Sequence, residues 1–288
     1  MPSLWGRLPV VVRAVLAGSV LAAVGTTPWT VLVSANSTYW SAVPWAVPPT
    51  ALYLWLFWRY VQGAGWPRST AEARRTNCRA NRLSEEVWRV ALVAGGLGLV
   101  ALVLFLHVIN RLVRLPPQPA DDLTHVPLVT LVSWLLMSAV VAGIVEESSF
   151  RGYMQGPIER RHGPVVAILV TGPLFGFAHF THPEVTLILM PYYLAVSAIY
   201  GALACLTNSI LPSVMLHAGA NIVSGIGLLA GGRAEWQASS RPAPLIWETG
   251  ADSSFWLSCV TALIVGAVAI WAYAALANVV RKAPRPLP

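Results

Sequence analysis

Two adjacent carboxylates, Glu146 and Glu147, stand at the end of an uninterrupted apolar run from Pro127 to Val145, and Arg151 follows them. Ionisable groups at the edge of a membrane-length segment are costly and default to a functional reading. On a helix, Glu147 and Arg151 are four residues apart and share a face, so they can pair. Glu146 lies about 100° further round and is left to point elsewhere. One carboxylate is thus held and its neighbour presented; the competing reading is a solvated helix end that only marks the lipid boundary.

Further polar residues interrupt two later apolar runs. Phe175-Gly-Phe-Ala-His179 carries one imidazole, and His217-Ala-Gly-Ala-Asn221 places an imidazole and an amide on one helical face. A carboxylate, two imidazoles and an amide meet the needs of hydrolysis: a base for water, a group to orient it and donors for an oxyanion. No Ser or Cys accompanies a His in a nucleophile motif, which favours activated water over a covalent intermediate. His107 reads as an interhelical hydrogen-bonding residue, and His125, His162 and His182 as loop residues.

The elements that must hold these groups are membrane helices. Hydrophobic residues make up 56% of the chain, charged residues 11%, and the mean hydropathy is +0.62. That excludes an ordinary soluble domain of this size. With roughly 20 apolar residues per span, the chain supports an all-α, polytopic membrane fold of about eight transmembrane helices. The segments run over Val10–Val33, Trp45–Val61, Val87–Ile109, Pro127–Val145, Pro164–Phe180, Val185–Leu206, from after Asn208 to Ala230, and Ser254–Val280. Three regions follow: 1–126, with segments one to three and an Arg-rich loop; 127–230, the motif-bearing core; and 231–288, a loop, segment eight and a basic tail. Cys78, Cys205 and Cys259 read as small apolar fillers rather than a disulfide framework. The sequon at Asn36 carries no weight without a secretory context.

The formal charge of +7 lies in loops between apolar runs, as orientation signals do, and not in a nucleic-acid-binding patch. Eight spans put both termini, the Gln62–Glu86 loop with its five arginines, the Arg160 turn and the Asn208 turn on one side. That side carries 15 of the 19 Lys and Arg, leaving Arg111, Arg114, Arg233 and Arg241 on the other. The positive-inside rule makes the rich side cytoplasmic in a cell membrane. Depth also separates His179 and His217 from the other histidines. Glu146 and His179 lie sixteen residues either side of the His162-Gly163 turn, about 24 Å from it in a helical hairpin. His217 reaches the same level if the charged Arg160 turn protrudes roughly 10 Å further.

Glu146-Glu147-Ser-Ser-Phe-Arg151-Gly152 resembles the EExxxRG signature of the CaaX-protease and bacteriocin-processing (Abi) family of intramembrane endopeptidases, the type II CaaX prenyl protease-like proteins. Phe175 to His179 is similar to its FxxxH motif and His217 to Asn221 to its HxxxN motif, in order on three separate segments. The resemblance covers about Pro127 to Ala230. It implies about eight helices and a site open to the cytosol, with Glu146 as general base and His179 holding or activating the water. It further implies His217 and Asn221 as oxyanion donors, with Glu147 and Arg151 as a supporting pair; Phe175 reads as packing.

Two Glu and two His are acceptable Zn ligands, so a divalent metal such as Zn, held by Glu146, His179 and His217, is the rival reading. There is no HExxH motif, Asn221 suits an oxyanion better than a metal, and Glu147 is spoken for. A metal-free mechanism without cofactor is therefore favoured. Outside hydrolysis, buried Glu and His could relay protons in a transporter, or the motif could serve packing in a membrane scaffold or immunity factor. The expected partners are a membrane-associated peptide or protein substrate and the lipid bilayer, with no nucleic acid.

Overall fold

The computed structural model describes residues 4–115, 123, 125–179, 183–231 and 244–282. His182, Arg233, Arg241 and Arg285 lie outside the described residues, as does Phe180 at the end of segment five. The described residues are helical, with no strand. In chain order the helices are α1 (Leu4–Arg7), α2 (Val10–Tyr39), α3 (Val47–Val61), α4 (Ala71–Cys78) and α5 (Glu85–Leu112). There follow α6 (Leu128–Glu146), a π-helical segment (Glu147–Met154), α7 (Gln155–His162) and α8 (Pro164–Phe177). The chain continues through α9 (Pro183–Ile188), α10 (Met190–Thr207), α11 (Leu211–Gly231), α12 (Ile246–Thr249) and α13 (Ser253–Lys282).

Among the described residues, five helices are long and apolar enough to cross a bilayer: α2, α5, the continuous run from α6 to α7, α10 and α13. The other three expected spans are α11 and two shorter helices, α3 with 15 residues and α8 with 14. Large apolar side chains face outwards, as at Leu263, Ile270 and Trp271 of α13, while Glu147, Arg151, Gln155 and Arg79 are buried. Apolar outside and polar inside is the pattern a hydrocarbon solvent demands.

Several boundaries differ from the expected ones. Segment one runs on to Tyr39, six residues beyond its expected end at Val33. The Thr38 hydroxyl donates back to the Ser34 carbonyl at 2.9 Å, keeping polar residues inside the helix. Asn36 is wholly buried: its amide donates to the Trp40 and Val43 carbonyls, and its oxygen accepts from Ala46 N and Trp134 Nε1. Segment six is broken at Leu189 into α9 and α10, where Pro191 opens the second helix. Segment five ends early, so His179 occupies the turn after α8 instead of the helix.

The Arg-rich loop holds a 3₁₀ turn (Arg68–Thr70) and α4, and two of its arginines are buried anchors rather than orientation signals alone. Arg74 donates to the Gly65 carbonyl at 3.2 Å and lies 4.0 Å above the Tyr60 ring. Arg79, in a left-handed conformation, pairs with Glu159 at 3.0 Å and donates to the Ala204 carbonyl. Arg160 donates to Asn77 at 2.7 Å, and Asn81 to the Asn208 carbonyl at 2.7 Å. The Arg-rich loop, the Arg160 turn and the Asn208 turn therefore meet at one end of the bundle. Elsewhere, Arg111 at the end of α5 pairs with Asp252 before α13 at 3.0 Å, and Arg114 with Glu248 at 2.7 Å.

Glycines set the closest helix contacts. A Cβ at Gly143 would lie 2.9 Å from the Val214 carbonyl oxygen, so α6 and α11 touch backbone to backbone. At Gly18 a Cβ would lie 2.9 Å from the Ser149 oxygen, and at Gly25 it would collide with Val145. These two glycines, seven residues apart, give α2 a flat face against α6 and the π segment.

Candidate active site

The helix carrying the two glutamates changes from α to π hydrogen bonding at Glu147. The Ser149 hydroxyl donates to the Val145 carbonyl at 2.7 Å, offering that carbonyl a partner other than the helix ladder. Gly152 within the segment lets the end of α4 approach: a Cβ there would lie 2.9 Å from the Asn77 oxygen and 3.1 Å from the Cys78 oxygen. π segments are rare and gather at functional sites. Cys78, beneath Gly152 and outside the membrane helices, is wholly buried, and burial pushes its thiol up to about 12.

Four of the six residues singled out from the sequence come together. Arg151 Nε lies 3.5 Å from Glu147 Oε2, with both side chains fully buried. The expected pairing of Glu147 with Arg151 is present, but Glu147 has a second partner. His217 Nδ1 donates to Glu147 Oε1 at 2.8 Å. The other face of the same imidazole looks at the presented carboxylate, with Nε2 at 3.8 Å from Glu146 Oε2. That is too long for a hydrogen bond. A water lying beside the two atoms could reach both. Glu146 Oε2 is buried and makes no hydrogen bond among the described residues. The close approach at Gly143 puts α11, and so His217, against both glutamates.

His179 is held differently. Its Nδ1 donates to the Phe175 carbonyl at 2.9 Å, capping the end of α8, so Nε2 is the nitrogen left for chemistry. Thr186 of α9 donates to the His179 carbonyl at 2.8 Å. Asn221 lies one turn beyond His217 on α11 and is exposed. Among the described residues, no hydrogen bond or ion pair joins His179 or Asn221 to either glutamate. Among the described residues, no group of three or more His, Cys, Asp or Glu side chains has the arrangement of a metal site.

The ring of Phe175 joins the halves of the site. Its centroid is 4.9 Å from that of His179 and 6.4 Å from that of His217. The Arg151 guanidinium lies 4.5 Å over the same ring and 5.6 Å from that of Tyr200. Aromatic faces and one carboxylate thus surround a buried cation. Two tyrosines that sequence reasoning passed over complete the walls: Tyr193 stacks on His179 at 4.9 Å, and Tyr200 on His217 at 5.2 Å. Their signal was their spacing, seven residues along one apolar helix.

No curated protein and no solved structure matches the chain. Residues 128–223 match a family model, that of the type II CAAX prenyl endopeptidase Rce1-like proteins. The match starts at the first residue of α6 and takes in both glutamates, Arg151, both imidazoles and Asn221. The helices that build this site, from α6 into α11, are thereby matched to the Rce1-like family of membrane-embedded CAAX endopeptidases.

Proposed function

We propose that the protein is an intramembrane endopeptidase that hydrolyses a peptide bond of a membrane-associated peptide or protein with water activated by Glu146. The family match supports a protease at family level. The observation that carries the mechanism is His217 held between the two carboxylates, tied at Nδ1 to Glu147 and facing Glu146 through Nε2. Glu146 accepts a proton from the water as its oxygen attacks the scissile carbonyl carbon. The C–N bond then breaks, and the departing amine takes that proton from Glu146. His217, as an imidazolium that donates from Nδ1 to Glu147 and from Nε2 to the oxyanion, acts there together with Asn221 on the same helix face. His179, whose Nε2 makes no hydrogen bond among the described residues, orients the water. Arg151 compensates the buried charge of Glu147.

No step in this scheme passes through a metal. The family description names a prenylated CAAX tail as substrate of that family; for this chain the substrate class is a membrane-proximal peptide bond. The site opens to the cytosol in a cell membrane crossed eight times, both termini cytoplasmic. The joining of the Arg-rich loop, the Arg160 turn and the Asn208 turn at one end supports that topology.

Membrane proteomics of wild-type against Glu146→Gln cells tests the reading through an accumulating precursor, to be cleaved afterwards by the purified wild-type protein. A precursor cut equally well by Glu146→Gln protein would end the assignment. Ion flux in vesicles without any cleavage would favour a proton pathway. Stoichiometric transition metal whose removal abolishes cleavage, and whose return restores it, would replace the mechanism with a metal-dependent one.

A further inference from the structure

α10 carries none of the three motifs, yet it presents an aromatic face to each motif imidazole. Tyr193 lies against His179 with ring centroids 4.9 Å apart and planes inclined by 26°. Tyr200 lies against His217 at 5.2 Å and 11°, almost parallel. Seven residues are two turns, so both rings project from one side of α10, about 10 Å apart along its axis. Neither hydroxyl makes a hydrogen bond among the described residues, so what each tyrosine gives its imidazole is the face of its ring. α10 is itself fixed to the helix it serves: the Ser213 hydroxyl on α11 donates to the Tyr200 carbonyl at 3.1 Å. Close packing also holds it against α8, where a Cβ at Gly176 would lie 2.8 Å from the Met190 sulfur.

The need for such supports follows from how the imidazoles are tied. Each has one anchored nitrogen, Nδ1, with the Phe175 carbonyl holding His179 and Glu147 holding His217. One hydrogen bond in the ring plane leaves the ring free to rock about that bond, which would swing Nε2 away from water or oxyanion. A parallel aromatic ring at stacking distance removes that freedom.

We infer that Tyr193 and Tyr200 are positioning residues for the hydrolysis, their ring faces fixing the planes of His179 and His217 so that both Nε2 atoms point into the site. The inference rests on the proteolytic reading. α10 is then the ruler of the active site, setting the separation of the two imidazoles although it supplies no catalytic group.

The test uses full-length protein in detergent, with Phe and Leu variants at each tyrosine. Phe keeps the ring and Leu removes it. Tyr193 is only half-buried, so its variants are the ones expected to fold without difficulty. Leu at 193 should lower kcat by up to about 10²-fold with little change in KM, the scale of a misplaced catalytic group, and Phe should recover most of that loss. With six histidines in the chain, ¹³C-labelled imidazoles give a second readout by NMR that needs no substrate. Stacking shifts imidazole proton resonances upfield. Tyr193→Leu should release the shift of His179 alone, Tyr200→Leu that of His217 alone, and the Phe variants should retain both. Imidazole resonances that stay put in the Leu variants would overturn the stacking, and equal kinetic losses in Phe and Leu would overturn the role of the ring face. Wild-type protein that cleaves nothing would instead remove the proteolytic reading, while the NMR arm still decides whether the tyrosines hold the imidazoles.

Discussion

His217 Nδ1 donates to Glu147 Oε1 at 2.8 Å, which makes the buried glutamate the orienting partner of an imidazole as well as the counter-ion of Arg151. One carboxylate thereby couples the π segment to α11, and the two neighbouring glutamates face the two nitrogens of a single ring, one bonded and one 3.8 Å away. Glu147→Gln should lower thermal stability in detergent, because it leaves a fully buried guanidinium uncompensated at a cost of about 3–5 kcal/mol. Arg151→Met should cost a similar amount, and the double variant less than the sum. Strictly additive losses would show that the charges do not support each other.

Glu146→Gln should behave in the opposite way. Its side chain is partly exposed and makes no hydrogen bond to a buried cation among the described residues comparable to that of Glu147, so the variant should fold with near wild-type stability. Cleavage should fall by about 10²–10⁴-fold, the usual loss when a general base is removed. A variant that unfolds with the same penalty as Glu147→Gln would show that the two carboxylates are not divided between base and support.

Gly152→Ala should lower stability by about 1–3 kcal/mol, because the new methyl meets the Asn77 and Cys78 carbonyl oxygens. Backbone cannot yield as a side chain can. Thermal unfolding against a control, Gly96→Ala, whose Cβ would meet nothing within 4 Å, isolates the effect of the contact. Equal behaviour of the two variants would mean that α4 does not pack there.

At the far end of α5, hydrogen bonds from Arg111, Ser254 and the Phe255 amide hold the Asp252 carboxyl well below the usual carboxylate range. A depressed carboxylate stabilises the fold fully above its unfolded value, about 3.9, and that contribution fades as pH falls from there towards the folded value. Asp252→Asn should therefore lower Tm at neutral pH, and the gap to wild type should narrow below about pH 4. A gap independent of pH would show that the charge of Asp252 contributes nothing.

Cysteine labelling reads the topology. A membrane-impermeant thiol reagent added outside intact cells should miss a cysteine at position 75 and reach one at position 247, where Trp247 is 72% exposed. Efficient labelling at 75 would invert the bundle.

The candidate site was legible in part, in the local spacings of Glu147 with Arg151 and of Phe175 with His179, which the structure pairs. What stayed hidden depends on backbone approach. No periodicity announces a π segment, since the residues that favour it, Ser149 and Gly152, are also unremarkable within an α-helix. His217 reads as a plain oxyanion donor until Gly143 is seen to let α11 touch α6, which carries Nδ1 to Glu147. Arg79 looks like one basic loop residue among five, and only the fold shows it reaching Glu159 and the Ala204 carbonyl. Tyr193 and Tyr200 show in the sequence only a seven-residue spacing, which does not say which imidazole each ring will meet.

The flat glycine face of α2 bears on modularity. The stretch matched to the family begins at residue 128, yet Gly18 walls the π segment from one side and the end of α4 walls it from another, while Gly25 walls the end of α6. A fragment from 127 to 230 would present Val145, Ser149, Met154 and Gly152 to lipid or water instead of to tightly apposed backbone. It should neither fold nor work alone, whereas residues 127–288 supplied with residues 1–126 as a separate chain should regain activity by complementation. The inherited unit of sequence and the physical unit of folding are then different lengths of the same protein.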